Sequence, residues 1–371
     1  MLPVLVAVLT LSLLIIAHEL GHFLAARAAG VKVEEFGVGL PPRIAGKKGK
    51  SGTLFSLNWL PLGGFVRMKG QDDFAAEEIS NEDLDSFTAK GLLPRAAILA
   101  AGVFANWLLA IALFAGSFLL GVTPPAGSSL AEKQVEKNPP RLLFEKVLED
   151  SAAAEAGILP GDFLKSVDGT PISSVESFRE ALALAQSTAD SKQQTAKVSL
   201  SLERAGKEIS LLLQPREGKA GVFLLPGVEL KKEKLPLGAA LGEGFRETNR
   251  LAAETFRGLG RLLASIFSRG EIPAGVAGPV GIVALLGDAA EGGAAALLQF
   301  AALLSISLAV LNALPIPALD GGRLLFLLAE GILGGRKILT ERVENWLHLG
   351  GFAAILLFLL AVTWHDLAGL F

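Results

Sequence analysis

The sequence of 371 residues contains no cysteine and no tyrosine, and it has only four histidines. The absence of cysteine excludes disulfides, iron–sulfur clusters and metal sites built from thiolates. Charge is also scarce, because Asp, Glu, Lys and Arg make up only 19% of the residues and the formal net charge is −3. So small a net charge gives no support for a nucleic-acid partner. Any metal site in this chain must therefore use nitrogen and oxygen ligands.

Apolar residues are abundant instead, at 51% of the chain, and the mean hydropathy is +0.49. This composition is typical of an integral membrane protein. Stretches without charge approach or exceed the ~20 residues that cross a bilayer. They predict four spans, near residues 2–26, 96–121, 295–318 and 346–364. A secretory signal peptide is the alternative for the first span, but it requires a basic residue before the apolar run, and none precedes Arg27.

The distribution of Lys and Arg predicts the orientation in the membrane. Basic residues are frequent in residues 31–95 and in the short segment 323–342, and neither terminus has one outside its span. The positive-inside rule places these two loops in the cytoplasm and both termini outside. The long segment 122–294 is then extracytoplasmic, and its basic residues do not conflict with this, because long domains are translocated largely regardless of charge.

A polar cluster interrupts the first apolar run, in the sequence IIAHELGHFL that begins at Ile15. In a helix, His18 and His22 share a face, and Glu19 lies one residue round from the first. This HExxH pattern places two imidazoles on one metal ion, with a carboxylate that takes a proton from water. Zinc suits such ligands. The alternatives are a chance match, or polar residues that line a transport path.

Two histidines leave zinc one protein ligand short, and the candidate is Asp320 in the sequence LNALPIPALDGGRLLF. It is the only charged residue between Glu291 and Arg323. Two prolines are expected to break the helix there, and two glycines allow close backbone approach: Pro315, Pro317, Gly321 and Gly322. A broken helix within a membrane is tolerated where it lines an enclosed cavity. The alternative places Asp320 at a solvated helix end, paired with Arg323.

Asn312 lies eight residues before Asp320 in the same segment. Its side-chain amide is suited to donate a hydrogen bond to a developing oxyanion or to hold the substrate backbone. A plain hydrogen bond between helices is the rival interpretation.

The pairing of HELGH in a first span with NALPIPALDGG in a late span resembles the site-2 protease family of intramembrane metalloproteases, and within it the bacterial RseP/RasP type. The family motif NxxPxPxLDG is matched by Asn312, Pro315, Pro317, Asp320 and Gly321. The resemblance implies that His18, His22 and Asp320 hold Zn²⁺ and that Glu19 is the general base.

Short alternating apolar runs punctuated by glycine follow the first span and predict a hairpin. In the family the corresponding region forms a small sheet near the active site, where an edge strand pairs with unwound substrate. The resemblance thus implies a substrate-binding set of Gly63, Gly64, Phe65, Asn312, Pro315 and Pro317. The second span resembles that of the family, with Asn106 facing inwards.

The sequence SAAAEAGILPGDFLKSVDGTPI, from Ser151, is PDZ-like. It predicts a strand at 163–167, a helix at 175–186 and a hairpin turn at 205–206. Such a domain either binds peptides by strand addition or filters substrates by size. Residues 237–267 form a basic amphipathic pattern, which suits a helix at the outer membrane surface or one packed against the PDZ domain.

The predicted fold is a polytopic α-helical membrane protein with about four transmembrane helices, a cytoplasmic-side membrane-associated β-hairpin or sheet, and one extracytoplasmic PDZ (α+β) domain. Its predicted segments are a first helix with HExxH at 1–30, the β region at 31–94, a second helix at 95–122, the PDZ domain at 138–226, the amphipathic helix at 235–270, a third membrane region at 271–335 and a fourth helix at 344–367.

The predicted function is that of an intramembrane zinc endopeptidase in a bacterial inner membrane. The resemblance suggests single-span substrates already trimmed by a site-1 protease, such as anti-sigma factors and leftover signal peptides, with no nucleic-acid partner. Three alternatives are a membrane-anchored PDZ scaffold, an intramembrane metal transporter and a conventional zincin in a soluble domain. A zincin would carry its third ligand in that domain, whereas Asp320 lies in an apolar span.

Overall fold

The computed structural model describes residues 2–71, 84–125, 127–137, 141–148, 150–172, 174–187, 197–204, 206–215, 219–227, 232–269, 277–334 and 341–368. The chain divides into two compact units. The first unit consists of Met1–Val122 and Glu233–Phe371, and the second is Thr123–Lys232. Ala205 of the predicted turn, and Arg336 and Lys337 of the predicted cytoplasmic loop, lie outside the described residues.

The first unit is mainly helical. Its elements are α1 (Leu2–Ala28), β1 (Val33–Lys48), β2 (Leu54–Met68), α2 (Leu92–Leu120), α6 (Leu237–Arg269), α7 (Pro279–Glu291), α8 (Ala294–Asn312), α9 (Asp320–Ile332) and α10 (Glu341–Ala368). Within the described residues, four helices are long and apolar enough to cross a membrane: Leu2–Ala28, Leu92–Leu120, Ala294–Asn312 and Trp346–Trp364. The predicted fold class of four membrane helices with β-sheets is confirmed.

Helix α2 is the centre of the first unit, because it contacts α1, α6, α8 and α9. Small residues allow these helices to approach closely. Such packing is expected in a membrane, where apolar side chains are as favourable in contact with lipid as with another helix. A Cβ atom added at Gly21 of α1 would lie 2.7 Å from Cβ of Ala105, and one at Gly244 of α6 would lie 2.8 Å from the carbonyl oxygen of Ile111. The HELGH face of α1 is thereby held directly against α2.

The third predicted span is interrupted before its predicted end at residue 318. Helix α8 ends at Asn312, residues 313–319 form a turn segment, and α9 begins at Asp320. Pro315 and Pro317 lack the N–H group that a continuing helix requires. The segment folds back on α9, since a Cβ atom at Gly322 would lie 2.8 Å from Cα of Pro317. Asp320 therefore stands at the start of a helix instead of within one.

The two long strands β1 and β2 form an antiparallel sheet that bends along its length. Residues 33–38 pair with 64–68, and residues 43–48 pair with 54–58. The sheet docks on α1, where Ser12 Oγ donates to the carbonyl oxygen of Pro61 at 2.7 Å. The segment 64–68 consequently runs alongside the helix that carries the two histidines.

The predicted amphipathic helix is present as α6, and its placement at the outer membrane surface or against the PDZ domain stays a prediction. Its polar face packs within the first unit, because Glu243, Glu247 and Thr248 are buried and the helix contacts α2 and α8. Leu241 and Phe256 on the apolar face are exposed. In a protein that crosses a bilayer, an exposed apolar face fits contact with lipid.

The second unit combines short helices with a six-stranded antiparallel sheet. Its elements are α3 (Ser129–Lys137), β3 (Arg141–Val147), α4 (Ala152–Glu155), β4 (Phe163–Val167), β5 (Thr170–Pro171), α5 (Val175–Ser187), β6 (Val198–Arg204), β7 (Lys207–Leu213) and β8 (Val222–Gly227). The strand order is β7-β6-β4-β3-β8, with β5 paired to β4. Leu142, Phe144 and Leu164 are among its fully buried core residues. The assignment of this unit as a PDZ domain stays a prediction.

Candidate metal centre and active site

Three side chains from two distant parts of the chain converge between helices. His18 and His22 lie on one face of α1, and both are buried. Asp320, at the start of α9, brings its Oδ2 to 2.9 Å from Nε2 of His18 and 3.2 Å from Nε2 of His22. The two Nε2 atoms lie 3.1 Å apart. The late aspartate is therefore placed against the HExxH motif.

These separations fit a single small metal ion. Zinc with ligand bonds of about 2.0 Å in tetrahedral geometry has ligand atoms about 3.3 Å apart. The observed distances between the two nitrogens and the carboxylate oxygen are 2.9 to 3.2 Å. Three protein ligands leave the fourth tetrahedral position open, which is the arrangement of catalytic zinc sites.

The other ring nitrogen of each histidine faces a group that can fix its tautomer. Nδ1 of His22 lies 2.8 Å from the carbonyl oxygen of Ile98, so it must carry the proton and donate. The lone pair of His22 then lies on Nε2, the atom that faces His18 and Asp320. Histidine ligands of metals are commonly oriented by such a carbonyl.

An unpartnered atom beside His18 supports the same assignment. The side-chain amide of Asn106 is fully buried, and its nitrogen lies 3.4 Å from Nδ1 of His18 while its Oδ1 has no hydrogen-bond partner. Amide oxygen and nitrogen are interchangeable in such an assignment. If Nε2 of His18 binds a metal, Nδ1 carries a proton and is a donor. With the Asn106 amide turned over, its side-chain oxygen faces Nδ1 and accepts this hydrogen bond, so the oxygen is no longer unpaired. The surroundings of both imidazoles thus fit zinc at Nε2.

The three ligands open into a cavity of about 410 Å³. Its lining comes from α1, the end of β2, the end of α8 and the start of α9: Ile15, His18, Glu19, His22, Phe65, Val66, Met68, Gln71, Leu308, Asn312, Ala318, Leu319, Asp320 and Arg323. Glu19 is half-buried there, and Val66 lines the same cavity. A metal centre, a carboxylate and an amide therefore share one cavity.

The family model described as peptidase family M50 matches residues 6–358. The chain belongs to peptidase family M50. It is a zinc metalloprotease of that family, and its His–His–Asp cluster is the candidate metal site.

Individual relatives align over nearly the whole chain. A candidate zinc metalloprotease of Clostridium perfringens is 33% identical over 97% of this chain and 97% of its own length. One from Nostoc is 33% identical over 95% of this chain and 92% of its own. The chloroplast membrane metalloprotease ARASP of Arabidopsis thaliana is 32% identical over 95% of this chain and 76% of its own. Like the four apolar helices, these likenesses identify a multi-pass membrane protein.

Of the other residues predicted for the site of this M50 peptidase, some line the cavity and some do not. Phe65 and Asn312 line the cavity. Gly63 and Gly64 lie against α1 instead, where a Cβ atom at Gly63 would be 3.2 Å from the side chain of Ile15. Pro315 and Pro317 are not among the lining residues. Pro317 packs towards Gly351 of α10, so its contact with substrate stays a prediction.

Three residues of α2 contact the imidazoles, and none was predicted as a site residue. Ile98, Gly102 and Asn106 are spaced by four, so they lie along one face of this helix. The pattern was visible as a glycine and an asparagine four apart in a charge-free span. The sequence gives no indication, however, that this face meets His18 and His22. Gly102 is the closest, because a Cβ atom there would lie 2.6 Å from Nε2 of His18 and would also overlap Nε2 of His22.

We expect Gly102→Ala to abolish zinc binding and cleavage, because the added methyl group would occupy the space of the ligand atoms. Gly116→Ala is the matched control on the same helix, since its Cβ atom would meet only Leu298 at an ordinary 3.4 Å. Zinc content of the two purified variants, measured by mass spectrometry, provides the comparison. Full zinc occupancy in Gly102→Ala would show that Gly102 is not in close contact with the ligand atoms of His18 and His22.

Proposed function

We propose that this M50 metalloprotease cleaves peptide bonds of substrates within or at the edge of the bilayer. One observation carries the proposal: His18 and His22 lie on a helix long enough to span a membrane, and Asp320 converges with them. A metal transporter uses such ligands too, but it has no requirement for Glu19 in the same cavity. The hydrolytic role explains all four residues together.

The chain's own residues account for the proton transfers. When bound, zinc supplies Lewis acidity that polarises a carbonyl and lowers the pKa of water. The Glu19 carboxylate takes a proton from the attacking water and returns it to the nitrogen of the departing amine. The side-chain amide of Asn312 donates to the carbonyl oxygen as it gains negative charge. Both residues line the cavity that the ligands open into.

The edge of the sheet supports a way to present the substrate. Residues 64–68 pair with 33–38 on one side, and Phe65, Val66 and Met68 line the active-site cavity. A helical membrane segment must become extended before its amide can be attacked. Addition of that extended segment to the strand supplies main-chain hydrogen bonds beside Glu19.

The substrates we propose are single-span membrane proteins whose outer domain another protease has already removed. Anti-sigma factors and leftover signal peptides fit this class through the resemblance to the RseP/RasP type. The second unit is proposed to be a single extracytoplasmic PDZ domain that acts as a size filter, on the basis of its PDZ-like sequence from Ser151 and its small antiparallel sheet. Both termini are proposed to lie outside a bacterial inner membrane, with the basic loops 31–95 and 323–342 in the cytoplasm.

The test is cleavage of one single-span protein in two forms by the purified enzyme in liposomes. One form retains a folded outer domain, and the other ends a few residues outside the membrane. We expect the trimmed form to be cleaved and the intact form to be cleaved at least about tenfold more slowly, because a bulky domain cannot pass a size filter. Equal rates would refute the filter and leave the protease assignment standing. Failure to cleave either form, with zinc bound, would refute the proteolytic function.

A further inference from the structure

One polar group in the active-site cavity has no role in the chemistry described above. Gln71 lines the cavity, and its side-chain oxygen Oε1 is buried without a hydrogen-bond partner. An amide oxygen taken from water and left unpaired costs free energy, so such atoms in native structures require an explanation. The unpaired atom therefore belongs to a residue of the cavity in which we propose that the substrate binds.

The backbone that carries Gln71 is held firmly in place. The N–H group of Lys69 donates to Lys32 at 3.0 Å, its carbonyl oxygen accepts from Phe87 at 2.8 Å, and the N–H group of Gln71 donates to Met68 at 3.2 Å. Gly70 has a φ of +75°, a conformation that favours glycine. Lys69 also forms an ion pair of 2.8 Å with Asp85, which lowers the pKa of that exposed carboxyl. The turn therefore fixes the position of the Gln71 backbone beside the cavity.

This turn follows directly on the strand that lines the cavity. Strand β2 ends at Met68, so the row of backbone groups available for strand addition ends there as well. A carboxamide side chain has the same donor and acceptor as a peptide group. Gln71, three residues beyond the strand, can therefore continue the ladder with its side chain at the point where the backbone turns away.

We propose that Gln71 is a substrate-binding residue whose Oε1 accepts a hydrogen bond from a backbone N–H group of the extended substrate, just beyond the segment paired with residues 64–68. The inference rests on the proposed function, because it requires a peptide in the cavity. Under this proposal Gln71 recognises the backbone of the substrate. The contact is therefore independent of the substrate's side chains. Cavity water is the other candidate partner, and the experiment separates the two.

Binding is measured in the Glu19→Gln background, so that the substrate remains intact. The probe is a labelled synthetic peptide that contains a trimmed single span. We expect Gln71→Leu to raise its Kd about tenfold, because the N–H group of the bound peptide loses its acceptor, and to leave bound zinc unchanged. In the otherwise wild-type enzyme the same change should raise KM and leave kcat nearly constant, since the contact holds substrate and transition state alike.

Gln299→Leu is the matched control. Gln299 is also a glutamine with a buried, unpartnered side-chain atom, but it lies in α8 and is not among the residues that line the cavity. Its substitution should leave Kd and KM unchanged. An equal effect of both substitutions would assign the loss to general disturbance of the fold and overturn the inference.

Ester substitution in the peptide identifies the partner directly. Replacing one backbone amide by an ester removes a single N–H donor, and the position is moved one residue at a time along the span. We expect one position at which the ester weakens binding to Glu19→Gln about tenfold but has no further effect when Gln71 is also Leu. Independent effects at every position would mean that Gln71 binds only water. In that case wild-type cleavage of the trimmed peptide would persist, whereas failure of the proposed function would remove cleavage itself.

Discussion

Glu19→Gln is expected to reduce kcat about 10³-fold and to leave one zinc ion bound per chain. The magnitude is typical of the removal of a general acid–base group. Glutamine has the same size and keeps a side-chain oxygen, but it cannot accept a proton from water at neutral pH. The zinc ion should remain because the three converging ligand atoms belong to His18, His22 and Asp320, and Glu19 is not among them. Turnover of the trimmed substrate and zinc content would be measured on the same preparations.

Glu34→Gln provides a control for that experiment. The chemical change is identical, but Glu34 lies on β1, its side chain is 41% exposed and it pairs with Arg67. It does not line the cavity, so cleavage should stay within about twofold of wild type, as for exposed ion pairs of small energy. Wild-type turnover by Glu19→Gln would exclude Glu19 as the general base. Loss of zinc along with turnover would instead make Glu19 part of the metal centre.

The candidate ligand set could be predicted from the sequence because its determinants are local. His18 and His22 share a helix face through their spacing alone, and the prolines before Asp320 end α8 by removing backbone donors. The long charge-free runs likewise marked the helices that span the membrane. Only the convergence of the two motifs needed the structure, which places Oδ2 of Asp320 2.9 Å from His18.

The remaining features of the site depend on which faces of the elements meet. Gly102 and Asn106 belong to the site because the face of α2 that carries them contacts the two imidazoles. The sequence of α2 alone does not identify the residues that this face contacts. Gln71 enters the cavity because the turn after β2 is tied to Lys32 and Phe87. In each case the position is fixed by contacts between residues far apart in the chain.

Helix α6 also shows that a sequence pattern can predict the two faces of a helix without determining what each face contacts. Its periodicity predicted an amphipathic helix, but periodicity does not state which face packs against the protein. In water the apolar face would be buried. Here Glu247 is buried and Phe256 is exposed, which fits a helix with lipid on its outer side.

Asp320→Ala is expected to lose both zinc and cleavage, which distinguishes it from Glu19→Gln. Removal of a partner behind a ligand already costs 10- to 100-fold in metal affinity, so loss of a direct ligand should weaken zinc binding by at least about 100-fold. Because a ligand that binds only the folded state raises stability, added zinc should raise the Tm of wild type and of Glu19→Gln but not of Asp320→Ala. Tm reports on the metal without relying on activity.

Asp288→Ala is the matched control, since Asp288 is exposed on α7 and does not line the cavity. It should keep its zinc, its thermal response to zinc and its turnover. If Asp320→Ala bound zinc as tightly as wild type, Asp320 would not be a ligand, and its 2.9 Å approach to His18 would be an ordinary hydrogen bond. A metal transporter or a PDZ scaffold would then again be a possible function of the protein. If Asp320→Ala loses zinc while Glu19→Gln keeps it, the late aspartate and the HELGH motif form one hydrolytic centre, in which holding the metal and moving the proton are the tasks of different side chains.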